Sequence, residues 1–113
     1  MPSSPGSVLE ETVRLDHGRA VVCFHGRLDV HTAAQARRVL AEVVLAHSVW
    51  RFAHLLVDLS EVDELDVAGI NAIVGPLMAA RRSAVRCNVV RPVAPAAARV
   101  MDQTAVLAMV TAP

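Results

Sequence analysis

Apolar runs of two kinds alternate along this 113-residue chain, and their order is the strongest constraint on its fold. Strand-like runs occupy residues 8–15, 20–25, 53–59, 85–90 and 106–110. In the two long stretches between the second, third and fourth runs, apolar residues recur at i, i+3, i+4, i+7 and i+8. That spacing is typical of one buried helix face. With a further short helix before the last run, the predicted order is β-β-α-β-α-β-α-β.

This order predicts an α/β fold built on a mixed five-stranded sheet. The glycine-containing turn at residues 16–18 favours an opening antiparallel hairpin. The later strands alternate with helices, which predicts parallel strands joined by right-handed crossovers, with the helices mainly on one face. We expect the other face to be protected by the amino-terminal strand, by a homodimer contact or by a bound partner.

Individual residues predict where the helices begin. Thr32 and Gln35 have capping-box spacing ahead of the first helix, and Pro95 suits the first position of the third. Asp66 is expected to cap the second helix, at the end of an acidic segment, residues 60–66, that we interpret as a solvated loop. Pro76 lies inside that second helix and predicts a bend or a break.

Length and composition bound the class of protein. The chain suits one domain, with residues 1–7 expected to be flexible and residues 8–113 forming the domain. Its 54% hydrophobic content excludes a mainly disordered chain, and 11 basic against 11 acidic residues argue against a nucleic-acid partner. The chain shows neither a secretion signal nor an apolar stretch of about 20 residues, so we expect a cytoplasmic protein without direct membrane insertion.

Signatures of catalysis and of cofactor binding are missing from the sequence. No phosphate-binding glycine loop, nucleophile elbow or zinc-protease motif occurs, and the five histidines lack metal-ligand spacing. Cys23 and Cys87 each lie in an apolar run, which predicts reduced, buried thiols. We therefore expect a protein that is not an enzyme, with no cofactor and no metal.

Three segments resemble the STAS domain of bacterial anti-sigma factor antagonists. Residues 26–29 (Gly-Arg-Leu-Asp) are followed by Thr32, residues 55–60 read Leu-Leu-Val-Asp-Leu-Ser, and residues 65–70 read Leu-Asp-Val-Ala-Gly-Ile. They are similar to the family's G-x-L-D-x-x-T segment, its v-v-l-D-L-s strand and its D-S-S/T-G-L loop. The resemblance extends over residues 8–110.

The resemblance implies a switch in partner choice. In such antagonists a kinase-type anti-sigma factor phosphorylates a serine of the D-S-S/T-G-L loop. The unmodified protein binds the anti-sigma factor and frees the sigma factor, whereas the phosphorylated protein releases it. A phosphate adds about −1.5 to −2 charges, which a helix N-terminus tolerates but a packed interface does not.

This chain departs from the family pattern at the switch itself. Val67 and Ala68 occupy the hydroxyl positions and cannot accept a phosphate, so no phosphorylation site is predicted there. Three interpretations follow: a constitutive antagonist, regulation by another route such as modification of the partner, or a retained docking surface outside sigma control. The substitution makes the loop more apolar, which favours binding over switching.

The expected function is that of a non-catalytic protein-binding module whose partner is an anti-sigma factor or a kinase-type regulator. The alternative is an accessory STAS subunit of a transport complex, or a STAS domain that binds a small ligand or lipid. The predicted partner-binding residues are the loop, the first turn of the second helix and an upstream aspartate that the resemblance places beside the loop: Asp29, Asp66, Val67, Ala68, Gly69, Ile70 and Asn71.

Overall fold

The computed structural model describes residues 8–104, which form a mixed four-stranded sheet in the order β1-β2-β3-β4. Strands β1 (Leu9–Asp16) and β2 (Arg19–Leu28) are antiparallel, while β3 (His54–Leu65) and β4 (Arg86–Val90) extend the sheet in parallel. Within the described residues the sheet therefore has four strands, where the sequence predicts five in all. The strand predicted at 106–110 lies outside the described residues, as does the segment 1–7 predicted to be flexible.

The opening hairpin is confirmed. Asp16 pairs with Arg19, and the two residues between them have positive φ, 52° at His17 and 75° at Gly18. A two-residue turn with both φ values positive matches the right-handed twist of the flanking strands and fixes their register.

Four helices accompany the sheet: α1 (Ala33–Leu45), α2 (His47–Trp50), α3 (Val67–Arg82) and α4 (Pro95–Asp102). The three longer helices lie where the sequence predicts them, and Pro95 begins α4 as expected. The short α2 is not among the helices that the sequence predicts. It is a single turn that ends at Arg51 in the left-handed conformation, which returns the chain to the sheet.

The core lies between α1, α3 and one face of the sheet. Alternate residues of the inner strands line the sheet side of the core, and the apolar faces of the two helices line the other side. On the opposite face, Cys23, Leu56 and Asp58 are half-buried. The sheet-side and helix-side residues of the core that are wholly shielded from solvent are Ala20, Val22, Leu28, Leu55, Val57, Leu59, Ala36, Leu40, Ile70, Ile73, Leu77 and Ala80.

The acidic segment after the third apolar run was predicted to be a loop, and this prediction is wrong. Residues 60–65 continue β3, pairing with the end of β2 through Leu28↔Leu65. Two register shifts each place one extra residue in β3, between Cys23 and His25 of the neighbouring strand and between Gly26 and Arg27. Buried residues therefore recur every third position instead of every second, and the alternation that reveals a strand in a sequence is lost.

The predicted capping box at α1 is also wrong. The Thr32 side chain makes no hydrogen bond to the first turn of α1. Its hydroxyl instead donates to the Arg27 carbonyl over 2.8 Å and accepts the Asp29 N–H over 3.0 Å. The Gln35 amide reaches away from the helix end to the carbonyl of Leu9 in β1, over 2.9 Å. Both side chains tie the loop and the hairpin together rather than capping the helix.

Pro76 does not break α3, because the helix continues on both sides of it to Arg82. A proline at this position removes one backbone hydrogen bond of the helix. The ring is buried in the structure, and packing offsets part of that loss. Of the bend or break that the sequence predicts at Pro76, a break is therefore excluded.

Two glycines of α3 provide a matched test of this packing. A Cβ at Gly69 would overlap the Leu28 carbonyl oxygen, whereas a Cβ at Gly75 would meet no atom within 4 Å outside its own helix and its chain neighbours. We expect Gly69→Ala to destabilise the fold by about 3 kcal/mol, through forced displacement of a backbone atom. Gly75→Ala should change the stability by less than about 1 kcal/mol, because the better helix propensity of alanine is opposed by contact of its methyl group with the ring of Pro76, the next residue. Urea unfolding of both variants measures the difference, and equal effects would contradict the close approach of α3 to β2.

Candidate functional site

The Asp66 carboxylate joins the two segments that form the candidate site. One oxygen, Oδ1, accepts the Gly69 N–H over 2.9 Å and caps α3 as predicted. The other, Oδ2, accepts the Val30 N–H over 3.1 Å and so holds the loop between β2 and α1. The Asp66 N–H also donates to the Leu28 carbonyl over 3.3 Å. One side chain therefore fixes the start of α3 against the loop that follows β2.

The loop between β2 and α1 is ordered by its own short-range hydrogen bonds. Asp29 Oδ1 accepts the His31 N–H over 2.9 Å, and the Asp29 carbonyl accepts the N–H groups of Thr32 and Ala33. The buried Thr32 hydroxyl bonds the loop backbone on both sides of Leu28. Asp29 directly precedes Val30, whose N–H is bonded to Asp66, so the loop that carries Asp29 is tied to the start of α3.

Two valines project from this rigid framework into solvent. Val30 is 65% exposed and Val67 is 64% exposed, and they flank the half-buried carboxylate of Asp66. Ala68 is half-buried, and Asn71 is exposed one turn further along α3. We call the surface formed by Asp29, Val30, Asp66, Val67, Ala68 and Asn71 the docking edge. Large apolar side chains held rigidly in solvent are typical of surfaces that bind other proteins.

Two of the predicted site residues lie inside the molecule instead. Ile70 is fully buried in the core, and Gly69 is buried against the Leu28 backbone. Neither residue is accessible to a partner in this conformation. Both pack α3 against the sheet, and this packing places Val67 and Ala68 at the surface.

Val30 is the site residue that sequence reasoning missed. It follows the family-like segment 26–29 and lies between two polar residues, a position that resembles an ordinary loop valine. Only its hydrogen bond to Asp66, 36 residues away, shows that it belongs to the site. No local pattern in the sequence signals a contact of that separation.

The described residues were also compared with the requirements of metal and thiol sites. Among residues 8–104, no group of three histidine, cysteine or acidic side chains is arranged to hold a metal ion. Both cysteines are free and half-buried rather than fully buried. Burial raises the pKa of the Cys87 thiol to about 11, so it stays protonated and unreactive near neutral pH. No helix of the described chain is long and apolar enough to cross a membrane.

Comparison with known proteins agrees with this geometry. The family model of the STAS domain matches residues 11–112. The chain belongs to the STAS domain family. A search of curated proteins found no match to it.

Solved structures show the same fold. An anti-sigma factor antagonist from Mycobacterium paratuberculosis is 24% identical, with a TM-score of 0.74 over 96% of this chain and 86% of that one. The Bacillus cell fate determinant SpoIIAA in its phosphorylated form is 16% identical, with a TM-score of 0.66 over 91% and 89% of the two chains. The STAS domain of an antisigma-factor antagonist from Rhodobacter sphaeroides is 14% identical, with a TM-score of 0.60 over 74% and 87%. At these identities the likeness is one of fold.

Within this STAS domain, the matching motif positions have structural explanations. Asp66 caps α3, Gly69 allows the Leu28 carbonyl to approach, and Ile70 packs in the core. The two positions that depart from the motif, Val67 and Ala68, are the ones at the surface. The framework of the loop is therefore retained while its exposed chemistry has changed from polar to apolar.

The double role of Asp66 can be tested by replacing the carboxylate. Asp66→Ala removes both the helix cap and the anchor of the loop, and should lower the free energy of unfolding by about 1–2 kcal/mol. Asp66→Asn keeps one oxygen acceptor, so a loss of about 1 kcal/mol is expected. Amide hydrogen exchange should accelerate at Val30 in both variants, because the asparagine NH₂ cannot accept that N–H. Unchanged exchange at Val30 would contradict the bridging role.

Proposed function

We propose that this STAS domain is a non-catalytic binding module that docks an anti-sigma factor or a kinase-type regulator through the docking edge. The observation that carries the proposal is the pair of exposed valines on either side of Asp66, held in place by its two hydrogen bonds. A surface that is already ordered loses little conformational entropy on binding. The solved relatives named as anti-sigma factor antagonists support the class of partner. The docking would occur in the cytoplasm, where such regulators control transcription in bacteria.

The docking edge has no hydroxyl group at the two loop positions where the family pattern has one that can be phosphorylated. Val67 and Ala68 have no hydroxyl group. Thr32, the nearby residue that does have one, is 3% exposed and its hydroxyl is hydrogen-bonded to the backbone. We therefore propose a constitutive binding surface, with any control exerted on the partner.

Binding can be tested by adding a negative charge to the docking edge without unfolding it. A glutamate at position 67 occupies the first turn of α3, where it interacts favourably with the helix dipole. In a packed interface the same charge must be desolvated beside Asp29 and Asp66. Val67→Glu should therefore weaken binding to a kinase-type anti-sigma factor of the same genome by roughly tenfold or more. Isothermal titration gives the two dissociation constants.

The matched controls keep the shape of the edge or change a distant site. Val67→Thr has nearly the same volume and should retain binding, and so should Leu45→Asp, because Leu45 is 80% exposed at the far end of α1. With ATP present, mass spectrometry should show no added phosphoryl group on the natural chain. It should show one on the double variant Val67→Ser, Ala68→Ser. No binding to any such regulator at micromolar concentration would refute the proposed function, and phosphorylation of the natural chain would refute constitutive binding.

An apolar groove favours a second candidate function, binding of a small ligand or lipid, as in an accessory subunit of a transport complex. The groove lies between α1 and α3 and has a volume of about 350 Å³. Its lining is apolar apart from one arginine: Arg37, Ala41, Val44, Leu45, Gly75, Pro76 and Ala79. Native mass spectrometry of the purified chain distinguishes the two candidates, because a bound amphiphile would appear as an added mass in the absence of any protein partner.

A further inference from the structure

The outer edge of β1 presents backbone groups that no other described strand pairs with. In an antiparallel pair, alternate residues exchange hydrogen bonds with the neighbouring strand. The Arg27 N–H donates to the Val8 carbonyl over 3.0 Å, which assigns the even-numbered residues of β1 to the bonds with β2. The odd-numbered residues, Leu9, Glu11, Val13 and Leu15, therefore direct their N–H and C=O groups outward. The Gln35 amide, which reaches the Leu9 carbonyl from α1, agrees with that direction.

Two apolar side chains of β1, an edge strand of the described sheet, are exposed to solvent. Val13 is 40% exposed and Leu15 is 51% exposed, although they pair with Val22 and Ala20, which are fully buried. The two apolar residues thus lie on the core side of the sheet, just beyond the cover that the helices provide. An open edge with exposed apolar residues is a template for pairing with another strand.

The charged side chains on the other face of β1 indicate which strand could pair with its outer edge. Glu10 and Arg14 lie on the same face, two positions on either side of Thr12. If a second copy pairs antiparallel about a two-fold axis through Thr12, Glu10 of each chain faces Arg14 of the other. These are non-hydrogen-bonded pairs, in which facing side chains are closest and opposite charges stabilise.

The alternative symmetric registers are less favourable. Only registers that pair outward-directed residues with each other can form hydrogen bonds, so the axis must pass through a single residue of β1. An axis through Val13 places Glu10 opposite Asp16, and an axis through Glu11 places Glu11 opposite itself. Both oppose like charges. In the register centred on Thr12, the central bonds come from Glu11 and Val13, whose backbone groups are directed outward.

We propose that the outer edge of β1 is a homodimer interface in which a second copy of this chain pairs antiparallel about Thr12, joining two four-stranded sheets into one of eight. The residues of the docking edge lie in the loop after β2 and at the start of α3, and none of them belongs to β1, so pairing about Thr12 uses different residues. Dimer formation and the proposed function can therefore fail independently, and each is measured by a different experiment.

A proline at position 13 tests the edge, because the Val13 N–H faces away from β2. Proline is tolerated on an edge strand where its missing N–H would face outward. Sedimentation velocity of the full chain should show a mass that rises with concentration from 12.1 kDa towards twice that value. Val13→Pro should remain a monomer throughout, with an unchanged circular dichroism spectrum. A monomeric natural chain at millimolar concentration, or a dimeric Val13→Pro variant, would overturn the proposal.

Charge exchange tests the register and does not depend on the fold of the proline variant. Glu10→Arg and Arg14→Glu should each weaken the dimer roughly tenfold by opposing like charges, and the double variant should restore it. Glu42→Arg, the same change on exposed Glu42 of α1, is the matched control and should leave the dimer unchanged. Failure of the double variant to recover dimerisation, or equal weakening by the control, would refute the pairing about Thr12.

Discussion

The two hydrogen bonds of the Asp66 carboxylate are the constraint on which the candidate site depends. One oxygen accepts a hydrogen bond from the first turn of α3, and the other accepts one from the loop that follows β2. The helix and the loop therefore cannot move apart without breaking one of these bonds. Hydrogen bonds to a charged acceptor are stronger than those between neutral groups. Exposed side chains at either end of this bridge are therefore held at a fixed separation. The two exposed valines keep their relative positions through this support, because apolar contacts have no directionality of their own.

The extension of β3 brings this carboxylate to its position. Two extra residues in β3 relative to β2 allow both strands to end together at the Leu28↔Leu65 pair. The Asp66 N–H then continues the ladder to the Leu28 carbonyl, and that same carbonyl is the atom that excludes a side chain at position 69. The end of β3, Gly69 and Asp66 are thus all in contact with the backbone of Leu28. A substitution at any of them should shift the positions of the two exposed valines.

The residues of the family-like loop divide into those with a role in the fold and those with an exposed side chain. The aspartate, the glycine and the apolar residue each have a packing or hydrogen-bonding role here. The two hydroxyl positions of the family pattern are filled by Val67, which is exposed, and Ala68, which is half-buried. The positions that match the family pattern are thus the ones that hold α3 against the sheet.

The sequence by itself determined the order of the longer elements, the hairpin, the cap of α3 and the family, because these depend on local periodicity and on residues close together in the chain. It failed where distant partners decide the outcome. Residues 60–65 form a strand only because β2 lies beside them, and Pro76 stays within a helix because its ring is buried. Thr32 and Gln35 bond to the hairpin and its loop rather than to their own helix. Val30 joins the site, and Ile70 leaves it, through contacts that arise only when β2 and α3 meet, and tertiary structure alone brings those segments together.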